Sequence, residues 1–158
     1  MGKTAILTTI PSDAHSWNLV FLQMILEECG YEVVNLGICT PFAAVVRACE
    51  ELGPELLVVS TLNGHGSLEG TELARRVSRL ASRSRMKLVI GGKLGTDTRQ
   101  EARQRSRLLA AGFDGVFCGP TAIPRFLDLL RGDATPADEH AAAGREQPQE
   151  PSILYREE

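Results

Sequence analysis

The stretch ILTTIPSDAHSWNLVFL, residues 6 to 22, carries the reading of the chain. An apolar, β-rich run ends in a turn, and a second apolar run with helical spacing begins at once. Strand, polar turn and helix in so few residues is the opening of a βα unit. Two ionisable groups stand two positions apart inside that turn, Asp13 and His15.

The same alternation repeats as far as residue 131. TAILTTI (4–10), EVVNL (32–36), LLVVS (56–60), KLVIG (87–91) and GVFC (115–118) read as five strands. The first four are apolar on both faces, as parallel strands covered by helices on both sides must be. Between them lie SWNLVFLQMILEECG, PFAAVVRACEELG, SLEGTELARRVSRLAS and TRQEARQRSRLLAAG, with AIPRFLDLL after the last strand, each with apolar residues at three- and four-residue spacing. Gly30, Gly53 and Gly112 are placed as helix C-caps, and Pro41 as a first-turn proline. The pattern predicts an α/β fold, a doubly wound five-stranded parallel sheet of flavodoxin-like order 2-1-3-4-5. Ligands of such sheets bind beyond the carboxyl ends of the strands, at the switch point between strands 1 and 3. The Asp13–His15 turn lies there.

A chain of 158 residues fits one domain, assigned to residues 1–131. Residues 132–158 are rich in Pro, Ala, Gly and Glu without an apolar period, and read as a flexible C-terminal tail. Seventeen basic against twenty acidic residues leave a net charge of -3, which points away from nucleic acid and anionic membranes. No apolar run has the length of a membrane span and the N-terminus lacks signal-peptide features, so a cytoplasmic protein is expected. Cys29, Cys39, Cys49 and Cys118 show no metal-ligand or redox spacing and read as buried reduced thiols.

Four loops should meet at the carboxyl edge: PSDAHSWN, TLNGHGSLEG, GGKLGTD and GPTAIP. Three are glycine-rich, which lets a ligand approach the backbone and leaves amide groups free to meet polar groups on it. Alone, His15 reads as a loop histidine bonded to a neighbour. Asp13 favours a ligand role, because a metal-bound imidazole normally gives its second N–H to a carboxylate. One histidine is too few ligands for a protein-built metal site. A metal already held in a macrocycle needs only one.

DAHSWN, then forty-one residues, STL, then twenty-eight residues, and GG closely resemble the Asp-x-His-x-x-Gly, Ser-x-Leu, Gly-Gly signature of base-off, histidine-on cobalamin-binding proteins. The similarity extends through GYEVVNLG, VVSTLNGHG, VIGGKL and AAGFDGVFCGPT and is strongest to the small cobalamin-binding subunits of glutamate (methylaspartate) mutases. The resemblance implies that His15 is the lower axial ligand of cobalt and that Asp13 holds its imidazole. Ser60 and Leu62 would line the pocket for the displaced nucleotide tail, Gly91 and Gly92 would leave it room, and Gly119, Pro120 and Thr121 would border its nucleotide end. Ser12, Ala14, Ser16, Asn18, Thr61, Asn63, Gly64 and Lys93 complete the implied cofactor-binding set, with no separate catalytic residue.

The implied cofactor is adenosylcobalamin, and the implied role is the cobalamin subunit of a carbon-skeleton isomerase converting L-glutamate to 3-methylaspartate. A larger barrel subunit would be the partner, with no turnover by this chain alone. Asn18 replaces the signature glycine and is expected to keep a glycine-like positive φ. Asn63 replaces an aromatic residue, and His65 reads as a solvated loop histidine. Trp17 is expected to staple the start of helix 1, and the arginines of ARRVSRLASRSR and RQEARQRSR to form a solvated face.

The competing readings are a corrinoid protein of a methyltransferase system, another cobalamin-dependent mutase, a cobalamin-dependent sensor and a phosphoacceptor receiver. Methyl-transfer corrinoid proteins usually carry a helical domain before the cobalamin fold, whereas the first strand here begins at residue 4. A sensor needs an output domain, which the tail does not resemble. A receiver wants acidic residues after strand 1 and a lysine at the end of strand 5, where this chain has CGPT.

Overall fold

The computed structural model describes residues 2–132, so the expected tail lies outside the described residues except for Gly132. Five strands, β1 (Lys3–Thr8), β2 (Tyr31–Gly37), β3 (Leu56–Thr61), β4 (Lys87–Gly92) and β5 (Gly115–Phe117), alternate with helices α1 (Trp17–Glu28), α2 (Phe42–Leu52), α3 (Gly66–Val77), α4 (Glu101–Ala111) and α5 (Ala122–Arg131). The strands are all parallel in the order β2-β1-β3-β4-β5, the doubly wound sheet that the sequence predicts.

Side chains that alternate along each strand feed two separate cores. Ile6, Leu57, Val59, Leu88, Ile90 and Val116 pack beneath α2, α3 and α4 against Val45, Leu73 and Leu108. Ala5, Leu7, Leu56, Val58, Val89 and Phe117 face the other way, against Leu19 and Leu26 of α1 and Phe126 and Leu130 of α5. Every residue of β3 is buried, as a central strand covered on both faces must be. Strand β2, at one edge of the sheet, is different: it has no fully buried residue, whereas β5 at the other edge is buried throughout.

The boundaries move where chain geometry overrides apolar pattern. Strand β1 ends at Thr8 rather than Ile10, and the helix expected over SLEGTELARRVSRLAS stops at Val77 and resumes as a short 3-10 turn, Ala81–Arg85. Pro41 is the residue capping α2, with extended backbone, not its first helical residue. Gly53 and Gly112 cap α2 and α4 at positive φ as expected, and Gly30 follows the Cys29 cap of α1 at φ +85°.

The arginines are not all solvated. Arg83 donates to the carbonyls of Met86 and Gly112 and to Asp114, whose carboxylate in turn accepts from Leu88 N–H at 2.8 Å. It fastens the entry to β4 to the entry to β5. Nor are all the thiols buried: Cys49 is, Cys29 and Cys118 are half-buried, and Cys39 is exposed at φ +49°. Burial pushes the Cys49 thiol up to about 11 and the Cys118 thiol up to about 12, the latter helped by Glu101, which keeps both protonated and inert. No helix among the described residues is long and apolar enough to cross a membrane.

Candidate functional site

Asp13 is completely buried at the carboxyl edge of β1, and its carboxylate organises two loops at once. One oxygen, Oδ1, accepts from the backbone N–H of His15 at 2.8 Å and lies 2.7 Å from its Nδ1. The other, Oδ2, accepts from Thr61 Oγ1 and Leu62 N–H, both at 2.7 Å, and from Asn63 N–H at 3.3 Å. Burial pushes the Asp13 pKa up, but the donors from His15, Leu62 and Thr61 more than offset this and hold it down at about 2. The carboxylate is therefore ionised at neutral pH.

An ionised carboxylate can only accept, so Nδ1 of His15 carries a proton, and the neutral ring would present its lone pair at Nε2. The His15 side chain is 56% exposed. The turn thus displays one oriented imidazole nitrogen at the switch point between β1 and β3. Among the described residues no group of three or more His, Cys, Asp or Glu side chains could hold a metal ion by itself.

From Asn18, three residues after this histidine, an apolar cavity of about 270 Å³ opens between α1, the ends of β3 and β4, and α5. Asn18, Ser60, Gly91 and Gly92, all singled out from sequence, line it. So do Phe21, Leu22, Phe117, Ile123 and Phe126, which the periodic pattern marks only as core-forming. Phe117 and Phe126 meet edge to face there, with centroids 5.5 Å apart. A second hollow of about 390 Å³ adjoins it, with Leu62, Lys93 and Gly119 among its walls together with Asp97, Thr98, Glu101 and Gln104.

Several expected roles change. Asn18 lies inside α1, and the one described non-glycine residue at positive φ is Cys39, so the signature position is helical here and asks nothing glycine-like of its backbone. Trp17 is the first residue of α1 and 83% exposed, so it staples nothing. A staple uses the residue before the cap, and the cap is Ser16, which makes no side-chain hydrogen bond to the helix. Ala14, Pro120 and Thr121 are exposed loop or cap positions that line neither hollow. His65 is exposed, as expected, and caps α3.

Asn63 has a structural task in this chain. Its Nδ2 donates to Ser12 Oγ at 2.7 Å and its Oδ1 accepts from His65 N–H at 3.0 Å, while Ser12 donates to Glu69. The β1 and β3 loops are thereby joined a second time, above the Asp13 clamp. Gly64 follows at φ +86°.

Glycine at 91 and 92 answers to strand crowding rather than to the cavity alone. A Cβ on Gly92 would sit 1.9 Å from the Thr61 carbonyl oxygen, and the residue is at φ +111°; on Gly91 it would sit 2.8 Å from the Phe117 carbonyl oxygen. The same Thr61 oxygen accepts from Lys93 N–H at 2.8 Å. Gly92→Ala is accordingly expected to cost about 3 kcal/mol of stability, measurable as a shift in the denaturant midpoint. An unchanged midpoint would show that the loop relaxes freely.

Comparison with known proteins agrees with this geometry. The B12 binding domain matches residues 3–125. The glutamate mutase sigma subunit 2 of Haloarcula marismortui is 31% identical over 133 residues, spanning 83% of this chain and 87% of that protein. The glutamate mutase sigma subunit of Fusobacterium nucleatum is 26% identical, spanning 83% of this chain and 96% of its own. Among solved structures, a cobalamin-binding protein from Desulfitobacterium hafniense superposes with a TM-score of 0.68 at 20% identity, over 85% of this chain and 60% of that one, which shows a shared fold. With the domain match running from β1 into the first turn of α5 and a relative above 30% identity spanned over 87% of its length, the chain belongs to the B12-binding domain family and, within it, to the glutamate mutase sigma subunits.

Proposed function

We propose that this chain holds adenosylcobalamin for a glutamate mutase, with His15 Nε2 as the lower axial ligand of cobalt, and delivers it to a separate barrel subunit. The observation that carries the reading is the exposed imidazole of His15, oriented by a buried, ionised Asp13 and followed three residues on, at Asn18, by the wall of an apolar cavity. The residues fit the group: one nitrogen lone pair suits one open metal position, and an apolar slot suits the displaced nucleotide base. When bound, the cofactor supplies a weak cobalt–carbon bond for radical chemistry.

The chain's own residues bind and orient. Asp13 fixes the tautomer and angle of His15. Asn18, Ser60, Gly91 and Gly92 border the nucleotide slot, with Phe117 and Phe126 forming apolar wall, while Leu62, Lys93 and Gly119 border the adjoining hollow. Among the described residues the hollows on this edge lie open to solvent, whereas radical chemistry requires water to be excluded. The partner provides the enclosure.

Reconstitution tests the whole reading. With adenosylcobalamin and glutamate the chain alone should give no product, and adding a cognate barrel subunit should produce 3-methylaspartate. Turnover by the chain alone, or cobalamin-dependent methyl transfer with a methyltransferase partner instead, would overturn it.

Ser60 gives a narrower test. It is 5% exposed and lines the apolar cavity, so Ser60→Leu should obstruct the slot. Cobalamin should then bind about tenfold or more weakly, while a corrinoid lacking the nucleotide keeps its affinity. Equal losses for both ligands would place the nucleotide elsewhere.

A further inference from the structure

A third hollow, of about 220 Å³, lies between the start of α3 and the outer face of α4. Its polar walls are Ser67 at the first turn of α3, Thr96 in the loop after β4, and Gln100, Arg103, Gln104 and Arg107 along α4. Among the described residues no carboxylate lines it. The nearby acids are engaged or face elsewhere: Asp97 holds Arg99, Glu69 accepts from Ser12, Glu72 pairs with Arg75 and Arg76, and Glu101 borders the neighbouring hollow.

Arg103 and Arg107 stand one turn apart on one helix face, as residues four apart do. Among the described residues neither makes an ion pair, hydrogen bond or ring contact. Two like charges four residues apart destabilise a helix unless something neutralises them. Ser67 makes the second, independent demand. It is 6% exposed, and among the described residues its buried hydroxyl has no hydrogen-bond partner, a costly condition for a polar group that a ligand would relieve.

The third component is the helix itself. α3 runs for 12 residues, its first turn has no side-chain cap, and Gly64 precedes it at φ +86°. Ser67 and Leu68 of that turn line the hollow, so the helix end adds positive potential there, although Ser67 N–H is already given to the Leu94 carbonyl and Glu69 sits in the same turn. Two guanidinium groups with no carboxylate among the described lining residues favour an anion, to which the Ser67 and Thr96 hydroxyls and the Gln100 and Gln104 amides can donate.

We infer that this hollow binds a phosphate group, held by Arg103 and Arg107, the Ser67 hydroxyl and the first turn of α3. At roughly 30 Å³ for a water molecule, the hollow takes such a group with part of its hydration. Ser67 N–H donates to the Leu94 carbonyl at 2.9 Å, and Leu94, Gly95 and Gln104 line both this hollow and the one next to it. The bound anion would thus brace the loop after β4 from behind. The inference stands independently of the cobalamin reading.

The test uses the full chain and inorganic phosphate, with chloride at matched ionic strength as control. Phosphate should raise the melting temperature by mass action and move the Gly66, Ser67 and Leu68 amide resonances saturably. The charge-removing pair Arg103→Gln with Arg107→Gln should bind phosphate about tenfold or more weakly. Ser67→Ala should melt at or above the parent without phosphate, since a buried unpaired hydroxyl is gone, yet bind phosphate about threefold more weakly. Equal shifts with chloride, or phosphate affinity unchanged in the arginine pair, would overturn the assignment.

Discussion

Replacing His15 with alanine is expected to abolish ligation of cobalt by the protein while leaving the fold intact. The ring is 56% exposed and among the described residues its one hydrogen-bond partner is Asp13. After truncation Asp13 Oδ1 still accepts from the residue-15 N–H, at 2.8 Å here, so no buried acceptor is left bare. The stability change should stay below about 1 kcal/mol. The decisive measurement is the paramagnetic resonance of cobalt(II) cobalamin bound to uniformly ¹⁵N-labelled protein. The parent should show ¹⁵N splitting, which separates a protein nitrogen from the cofactor's own unlabelled base, and His15→Ala should show none. Persistent ¹⁵N coupling in the variant would place the ligand on another residue.

Asp13→Ala should behave differently, with a large loss of stability as well as of binding. Its carboxylate satisfies Thr61 Oγ1, Leu62 N–H and the His15 backbone and ring together. Removing it leaves buried donors in two loops without an acceptor, a loss of about 3–5 kcal/mol. Acid should reproduce part of this in the parent. The folded-state pKa of about 2 lies below the ordinary 3.8, so the carboxylate stabilises the fold above the ordinary value. That contribution, about 2 kcal/mol, fades as pH falls from about 4 toward 2. Denaturant titrations at pH 6 and pH 3 should show the drop in the parent and a smaller one in Asp13→Ala; equal drops would assign the acid sensitivity to other groups.

The sheet was legible because parallel strands buried on both faces leave short, unbroken apolar runs, and LLVVS and KLVIG are such runs. The place of His15 was legible for the same reason, since strand order alone puts the β1 loop at the switch point. What Asp13 does was half legible. Its partner at position 15 is local, but Thr61, Leu62 and Asn63 lie 48 to 50 residues away, and only folding brings them within reach. The aromatic wall of the cavity was hidden because helical periodicity cannot distinguish Phe21 or Phe126 packed on a core from the same residue facing a gap. Arg83 was misread because its partners are mostly backbone carbonyls, which leave no trace in composition.

Trp17 turns that misreading to use. It is the chain's single tryptophan, two residues from His15, and 83% exposed at the first position of α1. All indole emission from the protein therefore originates at the start of α1, next in sequence to the candidate site. A chromophore or a second polypeptide settling on this edge alters the surroundings of one fluorophore at a known address. Occupancy becomes an optical signal that needs no added label.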